Sequence, residues 1–291
     1  MRKLRHIIPE YAMLLPALLL LAAFVIIPFI CSIAFSFTNE RLMPRPIPTA
    51  WIGLANYQRI FTDPEFWQAV KNTLCFALIV IPLQLSLSLG AAMLLNGKLR
   101  GITLFRSIII MPLLIPMTVI AAIWSVMLQT PDGLFNALWA GISGSTQAKD
   151  WLGDPRYALY AIIALSIWAS FPFQMLIYLA GLQEIPKTLY EAAAIDGFSR
   201  WQQFRYITFP GLRNTHIFAV IITTIGAFSL FTQVNILTGG GPNGATSTII
   251  QYMFSNGFSS QRIGFASAVS VVFFCAVVLL GLAQKKLMSE K

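Results

Sequence analysis

Six runs in this chain each hold roughly 20 or more predominantly apolar residues, the length an α-helix needs to cross a hydrocarbon layer about 30 Å thick. They cover residues 11–37, 72–95, 103–128, 157–182, 216–237 and 264–283. Inside lipid every backbone N–H and C=O has to be satisfied within the segment, so such runs fold as helices. The expected fold is therefore an all-α membrane protein with six transmembrane helices. Composition agrees, with 57% hydrophobic and only 11% charged residues over 291 positions and a mean hydropathy of +0.71. The fifth run is the most polar, because Ser229, Thr232, Gln233 and Asn235 dilute it. The first follows MRKLRH and opens like a secretory signal, yet its apolar run is too long and no small-x-small cleavage site closes it, so it reads as a retained span.

Basic loops stay on the cytoplasmic side of a membrane, and this sets an orientation. With the N-terminus inside, Arg2, Lys3, Arg5, Lys98, Arg100, Arg106, Lys187, Arg200, Arg205, Arg213, Lys285, Lys286 and Lys291 are cytoplasmic, thirteen of the 20 Lys and Arg. The other seven, Arg41, Arg45, Arg59, Lys71, Lys149, Arg156 and Arg262, are nearly balanced by six acids. Both termini are expected inside, in a multi-pass protein. The net charge of +9 follows mostly from this bias, with Glu10, Glu184, Glu191, Asp196 and Glu290 as the acids on the basic side, and it requires no nucleic acid.

The chemistry of the spans excludes several classes. Proton and sodium relays need Asp, Glu, His or Lys at membrane depth, and the six runs carry none away from their ends, where Arg106 and His216 read as interfacial anchors. Cys31, Cys75 and Cys275 have no metal-ligand or CxxC spacing and read as small core hydrophobes. No HExxH, GxSxG or tuned carboxylate pair is present, so no catalytic residue is assigned. Gly97-Lys98 is the nearest approach to a phosphate loop, but Leu99 stands where Ser or Thr would hold magnesium, and no cofactor is expected in this chain. What remains is a passive pore or one part of a machine powered elsewhere.

The stretch EAAAIDGFSRWQQFRYITFP, Glu191 to Pro210, is polar where its neighbours are not. Pro186 suits a first helical turn, Leu189, Ala192, Ala193 and Asp196 share one face, and Gly197 supplies a stop. Ser199 and Gln202 have the spacing of a capping box that starts a second piece, which Pro210 is expected to limit. The result is a helix, a sharp turn and a helix within residues 184–214, between the fourth and fifth spans. Its alanines allow a partner backbone to come close, while Glu191 and Asp196 offer acceptors for a partner's arginines. On periodicity alone a docking knob and an amphipathic connector lying on the bilayer are equally good readings.

Glu191-Ala192-Ala193, Asp196-Gly197, Ile207 and Pro210 together resemble the EAA loop of ABC importer permeases, with Phe198 where that family commonly has Ala and Phe209 where it commonly has Leu. The stretches from Trp51 to Leu74, Phe105 to Leu128, Leu179 to Gly197 and Ile236 to Phe254 are similar to the carbohydrate-type branch, which imports sugars, oligosaccharides, polyols and related solutes. The resemblance implies a type I ABC importer permease fold in a single domain over residues 1–291, with residues 184–214 carrying the coupling helix. It also implies partners: a second homologous permease, two ATP-binding subunits that hold ATP and Mg, and a periplasmic or extracytoplasmic solute-binding protein. The mechanism implied is alternating access in a transport subunit that is not itself an enzyme. A stand-alone channel or facilitator with a regulatory hairpin is the alternative.

For the solute path, Ser166, Ser170, Gln174 and Tyr178 recur every four residues along the fourth run, with Trp168 and Phe171 nearby. The fifth run adds Phe228, Ser229, Phe231, Thr232, Gln233 and Asn235. Neutral donors and acceptors among aromatic rings suit a sugar, whose hydroxyls need hydrogen bonds and whose CH faces pack on rings. The competing reading of each such residue is helix packing, which is preferred for Gln84 and Ser88. Pro28, Pro82, Pro112, Pro116 and Pro172 interrupt runs and read mainly as static kinks. Gly239-Gly240-Gly241-Pro242 is expected to be a loop with little conformational bias of its own. The loops at 38–71 and 129–156 are too short for a separate domain.

Overall fold

The computed structural model describes residues 13–43, 48–97, 101–144 and 147–289. Tyr11, Arg2, Lys3, Arg5, Glu10, Arg45, Lys98, Leu99, Arg100, Glu290 and Lys291, which entered the sequence reading, lie outside them. Among the described residues the chain is helical, with one isolated antiparallel bridge from Thr38 to Trp51. Among the described residues five helices are long and apolar enough to cross a membrane: Met13–Ser36 (α1), Pro64–Leu95 (α3), Ala158–Glu184 (α7), Arg213–Leu237 and Ile263–Gln284. A bent pair, Ile102–Leu114 (α4) and Met117–Met127 (α5), makes a sixth if counted as one span. Shorter elements are α2 (Ala55–Thr62) and α6 (Leu134–Ser143).

The third apolar run is thus not one straight helix. Its halves meet at 98°. Pro116 pushes the residue before it out of the helical region, and Ile115 accordingly sits at φ −105° and ψ 130°, after a 3₁₀ turn that includes Pro112. Pro82 and Pro172, by contrast, lie inside unbroken helices. The second span begins at Pro64, earlier than the hydropathy suggested, so Glu65 and Lys71 belong to its first turns.

The chain forms two compact units, Met1–Pro64 with Met253–Ala276, and Glu65–Tyr252 with Val277–Lys291. In the first, the end of α1 is pinned by polar bonds. Ser36 Oγ donates to the Ile33 carbonyl at 2.6 Å and lies 2.7 Å from the Tyr57 hydroxyl. Asn56 Nδ2 donates to the carbonyls of Ser36 and Thr38, both at 2.9 Å. Gly264 is required here, because a Cβ at that position would collide with the Thr38 carbonyl oxygen.

In the second unit α7 is central: 61% of its apolar window is buried, against 28% for α3 and 33% for Arg213–Leu237. Around one half of α7, Phe76, Val80, Ile120, Ile162, Leu165 and Val234 form a core. Around the other half, Leu95, Tyr178, Leu182, Leu212 and Ala219 form a second. The fifth span is interrupted where its polarity rises. Arg213–Phe228 (α10) ends at Ser229, and Thr232–Leu237 (α11) follows a Phe231 at φ −141° and ψ −58°.

Two expectations are corrected. Cys31 and Cys275 are exposed, so neither is a core residue of this chain, since helices in lipid have no hydrophobic drive to bury a small apolar side chain, whereas Cys75 is half-buried and packs against the core. The glycine loop is tied down rather than loose. Thr246 donates to the Gly241 carbonyl at 2.6 Å and lies 2.7 Å from the Thr238 hydroxyl, and Asn72 Nδ2 donates to the carbonyls of Gly244 and Ser247 at 2.8 and 2.9 Å.

Candidate functional site

The hairpin after α7 is built by local chemistry. Ile185 is extended, Pro186 caps from outside the helix at ψ 128°, and Lys187–Ile195 (α8) follows. Pro186 is therefore the cap and not part of the first turn. The stop is a left-handed glycine: Gly197 has φ +77°, Phe198 N donates to the Ala193 carbonyl at 2.8 Å, and Gly197 N donates to that of Ala194 at 3.2 Å. The expected capping box is present, with Ser199 N donating to Gln202 Oε1 at 2.7 Å and Gln202 N donating to Ser199 Oγ at 3.3 Å. It opens Arg200–Gln203 (α9), which continues through a π turn over Phe204–Thr208 into Phe209–Gly211. Pro210 does not end the piece, because the wider π turn precedes it and the missing N–H of Pro210 falls in a short new helical turn.

The two limbs are fastened to each other and to the core. The Tyr190 hydroxyl lies 3.0 Å from Thr208 Oγ1, and Tyr190 and Ile207 both pack on the core that holds Tyr178 and Leu212. Gly211 sits where a Cβ would press on Ile185, and Gly181 where one would collide with Thr215, so glycine lets α7, the hairpin and α10 close up. Of the sequence-assigned residues, Ala193 is buried and fixes α8 to its support, while Glu191, Ala192, Asp196 and Gly197 are exposed and Phe198 is 37% accessible. The outward face carries Leu189 at 50%, Ile195 at 87%, Trp201 at 69% and Tyr206 at 67% exposure. A groove of about 460 Å³ bounded by Glu184, Pro186, Leu189, Tyr206 and Pro210 runs beside it.

A second feature lies between α3, the α4/α5 bend, α7 and α10. It is a cavity of about 360 Å³ whose polar lining is Gln84, Ser166, Ser170, Gln174, Thr223 and Gln233, with Phe173 and Pro112 among its apolar walls. Gln84 Nε2 donates to Gln174 Oε1 at 2.8 Å, and Gln233 Nε2 to Ser166 Oγ at 3.5 Å. No ionisable side chain lines it.

Four of the sequence-assigned path residues, Ser166, Ser170, Gln174 and Gln233, thus meet in one cavity. The others do not line it. Trp168 packs on Trp124 with centroids 5.8 Å apart, Phe228 lies against the core, and Tyr178 places its hydroxyl 3.0 Å from His216 Nδ1. Asn235 is exposed and accepts from Gln251 Nε2 at 3.4 Å, and Ser229 lies at the break of the fifth span. Phe171 receives Ser88 Oγ on its carbonyl at 2.9 Å, and Phe231 is half-buried at the start of α11. The cavity also recruits Thr223 and Phe173, which sequence reasoning missed, and Gln84, which it assigned to helix packing and which does bridge α3 to α7. Gln84 showed one signal, an amide in the middle of an apolar run, whereas Thr223 and Phe173 showed none because their helix faces depend on the crossing geometry.

Comparison with known proteins fits these features. The family described as binding-protein-dependent transport system inner membrane component matches residues 84–287. The chain is 36% identical to the trehalose/maltose transport system permease protein MalF of Thermococcus litoralis over 268 residues, 92% of this chain and 89% of that one. It is 36% identical to the probable ABC transporter permease protein YurN of Bacillus subtilis, covering 96% and 95% of the two chains. It is 34% identical to the lactose transport system permease protein LacF of Rhizobium radiobacter, covering 92% and 90%. In fold it is similar to a chain of a bacterial ABC transporter that imports the acidic polysaccharide alginate, with a TM-score of 0.85, 23% identity, and 99% and 98% coverage. A second alginate ABC transporter structure, in complex with an alginate pentasaccharide-bound periplasmic protein, matches with a TM-score of 0.88 at 21% identity, covering 99% and 96% of the two chains. With its helical spans and its match across most of its length, this chain belongs to the binding-protein-dependent inner membrane permeases of ABC importers, a family of transport subunits and not of enzymes.

Proposed function

We propose that this chain is one membrane-spanning half of an ATP-driven importer for a neutral sugar or sugar-like solute, and that residues 184–214 are its coupling element. One observation carries the reading. The hairpin is rigidly fastened to α7 and α10 through Tyr190, Thr208, Ile207 and Ile185, while its far side presents Leu189, Ile195, Trp201 and Tyr206 to the outside. A face of large apolar residues on a stiff mount is what a protein docking site needs. A push on α8 is transmitted to the two helices that wall the cavity, because the mount has no slack at Gly181 and Gly211.

In this reading two cytoplasmic ATPase subunits hold ATP and Mg, and one of them grips the hairpin. A second permease completes the translocation path. A solute-binding protein delivers cargo on the opposite face, both termini lie in the cytoplasm, and the membrane is the bacterial inner membrane. The cavity supports a neutral, hydroxyl-rich cargo: its amides and hydroxyls can exchange hydrogen bonds with sugar hydroxyls, and it lacks a charge that would favour an acid or a base. The relatives named for trehalose/maltose and for lactose transport point the same way.

Reconstitution tests it. In liposomes the chain alone is expected to pass no sugar, and the assembly with second permease, ATPases and binding protein to accumulate it only with ATP. Solute flux through the isolated chain would make it a facilitator and overturn the proposal.

A further inference from the structure

In the unit that contains the end of α1, three arginines surround one pocket. Arg41, Arg59 and Arg262 line a space of about 260 Å³ together with Glu40, Thr49 and Asn56. Its depth follows from the helices beside it. Arg262 is the residue before the last apolar helix begins at Ile263, and Arg41 lies five residues after the first ends at Ser36. A cation within a few residues of the end of an apolar span sits at the level of lipid headgroups, whichever face of the membrane that is.

The pocket is built rather than incidental. Leu42 N donates to the Gln261 carbonyl at 3.1 Å and Gly264 N to the Glu40 carbonyl at 2.9 Å, which holds the loop after the first span against the start of the last. The Arg59 guanidinium is set over the Phe265 ring, 5.3 Å from its centroid. Glu40, the acid in the lining, already accepts the Thr49 hydroxyl at 2.6 Å. The lining holds three arginines against one carboxylate. Nearby Trp51, 69% exposed, stacks on Phe37 with centroids 5.1 Å apart, and Met43 is 59% exposed at the pocket itself.

We propose that this pocket binds the phosphate of a membrane phospholipid headgroup. Guanidinium groups present paired donors that match phosphate oxygens, and at headgroup depth phospholipid phosphate is the most abundant anion. The exposed Trp51 and Met43 supply the amphipathic and apolar contacts that the glycerol backbone and upper acyl chains require.

The test is native mass spectrometry of the full-length protein, delipidated in detergent and titrated with phosphatidylglycerol. Wild type is expected to hold one more tightly bound phospholipid than Arg59→Gln/Arg262→Gln, with half-saturation rising about fivefold for each arginine removed. Arg156→Gln, which removes a charge elsewhere, should load as wild type does. Diacylglycerol, with the same tails and no phosphate, should not occupy the site. Arg262→Gln alone leaves the Arg59–Phe265 contact intact, and its fivefold shift stands as the result if the double variant fails to fold. Unchanged phospholipid loading in the variants overturns the proposal. So does full displacement of the lipid by an equal concentration of inorganic phosphate, which would mark a free-anion site. Normal lipid loading combined with lost stimulation by a solute-binding protein would instead assign the pocket to a protein partner.

Discussion

Gln84 on α3 donates its side-chain amide to Gln174 on α7 across 2.8 Å, in a buried pair that forms part of the cavity wall. Ninety residues apart in sequence, the two hold adjacent helices in register and leave further amide hydrogens and lone pairs for a solute.

Removing Gln174 has two separable effects. Gln174→Ala strands the buried Gln84 amide, which costs about 1–3 kcal/mol, visible as a lower Tm in detergent. It is also expected to cut sugar uptake at constant membrane abundance. Asn235→Ala should leave uptake unchanged, since Asn235 lies outside the cavity and its side chain accepts from Gln251 at 3.4 Å. Equal uptake by both variants would remove Gln174 from the path.

At the crossing of α7 and α10 the decisive feature is an absent side chain. Gly181→Ala would drive a methyl into Thr215 Oγ1, and overpacking of this kind costs about 1–3 kcal/mol. Thr215→Ala should recover much of that loss in the double variant, because the two sites share one contact. Thermal unfolding of the four proteins in the cycle reads the coupling, and strict additivity would show that the crossing has room.

The hairpin turn depends on Gly197. Its φ of +77° costs an L-residue about 1 kcal/mol, so Gly197→Ala should loosen the turn between α8 and α9. Faster amide exchange at Phe198, whose N–H bonds the Ala193 carbonyl at 2.8 Å, is the direct readout. Transport-coupled ATPase activity of the assembly should fall while the ATPase subunits' basal rate stays unchanged. Unaltered coupling would argue that the hairpin is a passive connector.

Asn72 anchors the glycine loop from α3 through two carbonyls, those of Gly244 and Ser247. Asn72→Ala is expected to raise hydrogen exchange across residues 239–248 with little change in the helices beyond. Exchange that stays slow there would mean that the Thr238, Thr246 and Gly241 bonds hold the loop unaided.

Much was legible from local chemistry. The spans follow from apolar runs, the Ser199–Gln202 capping box from a three-residue spacing, and the Gly197 stop from a backbone need that glycine meets cheaply. Pro116 was visible as a break, but the 98° turn was not, because a proline permits a range of bends and packing selects one. Tyr178 was placed on a polar stripe and lies beside His216 instead, since a drift of about 40° per four residues turns the stripe out of the cavity before it reaches position 178.

Sequence alone therefore determined which segments are long and apolar enough to span a bilayer and where the polar hairpin turns, because both depend on interactions within a few residues. Only tertiary structure decided which polar side chains share the cavity. That choice is made by where α3, the α4/α5 bend, α7 and α10 cross, and those crossings are set by contacts such as Gly181 against Thr215, which join residues far apart along the chain.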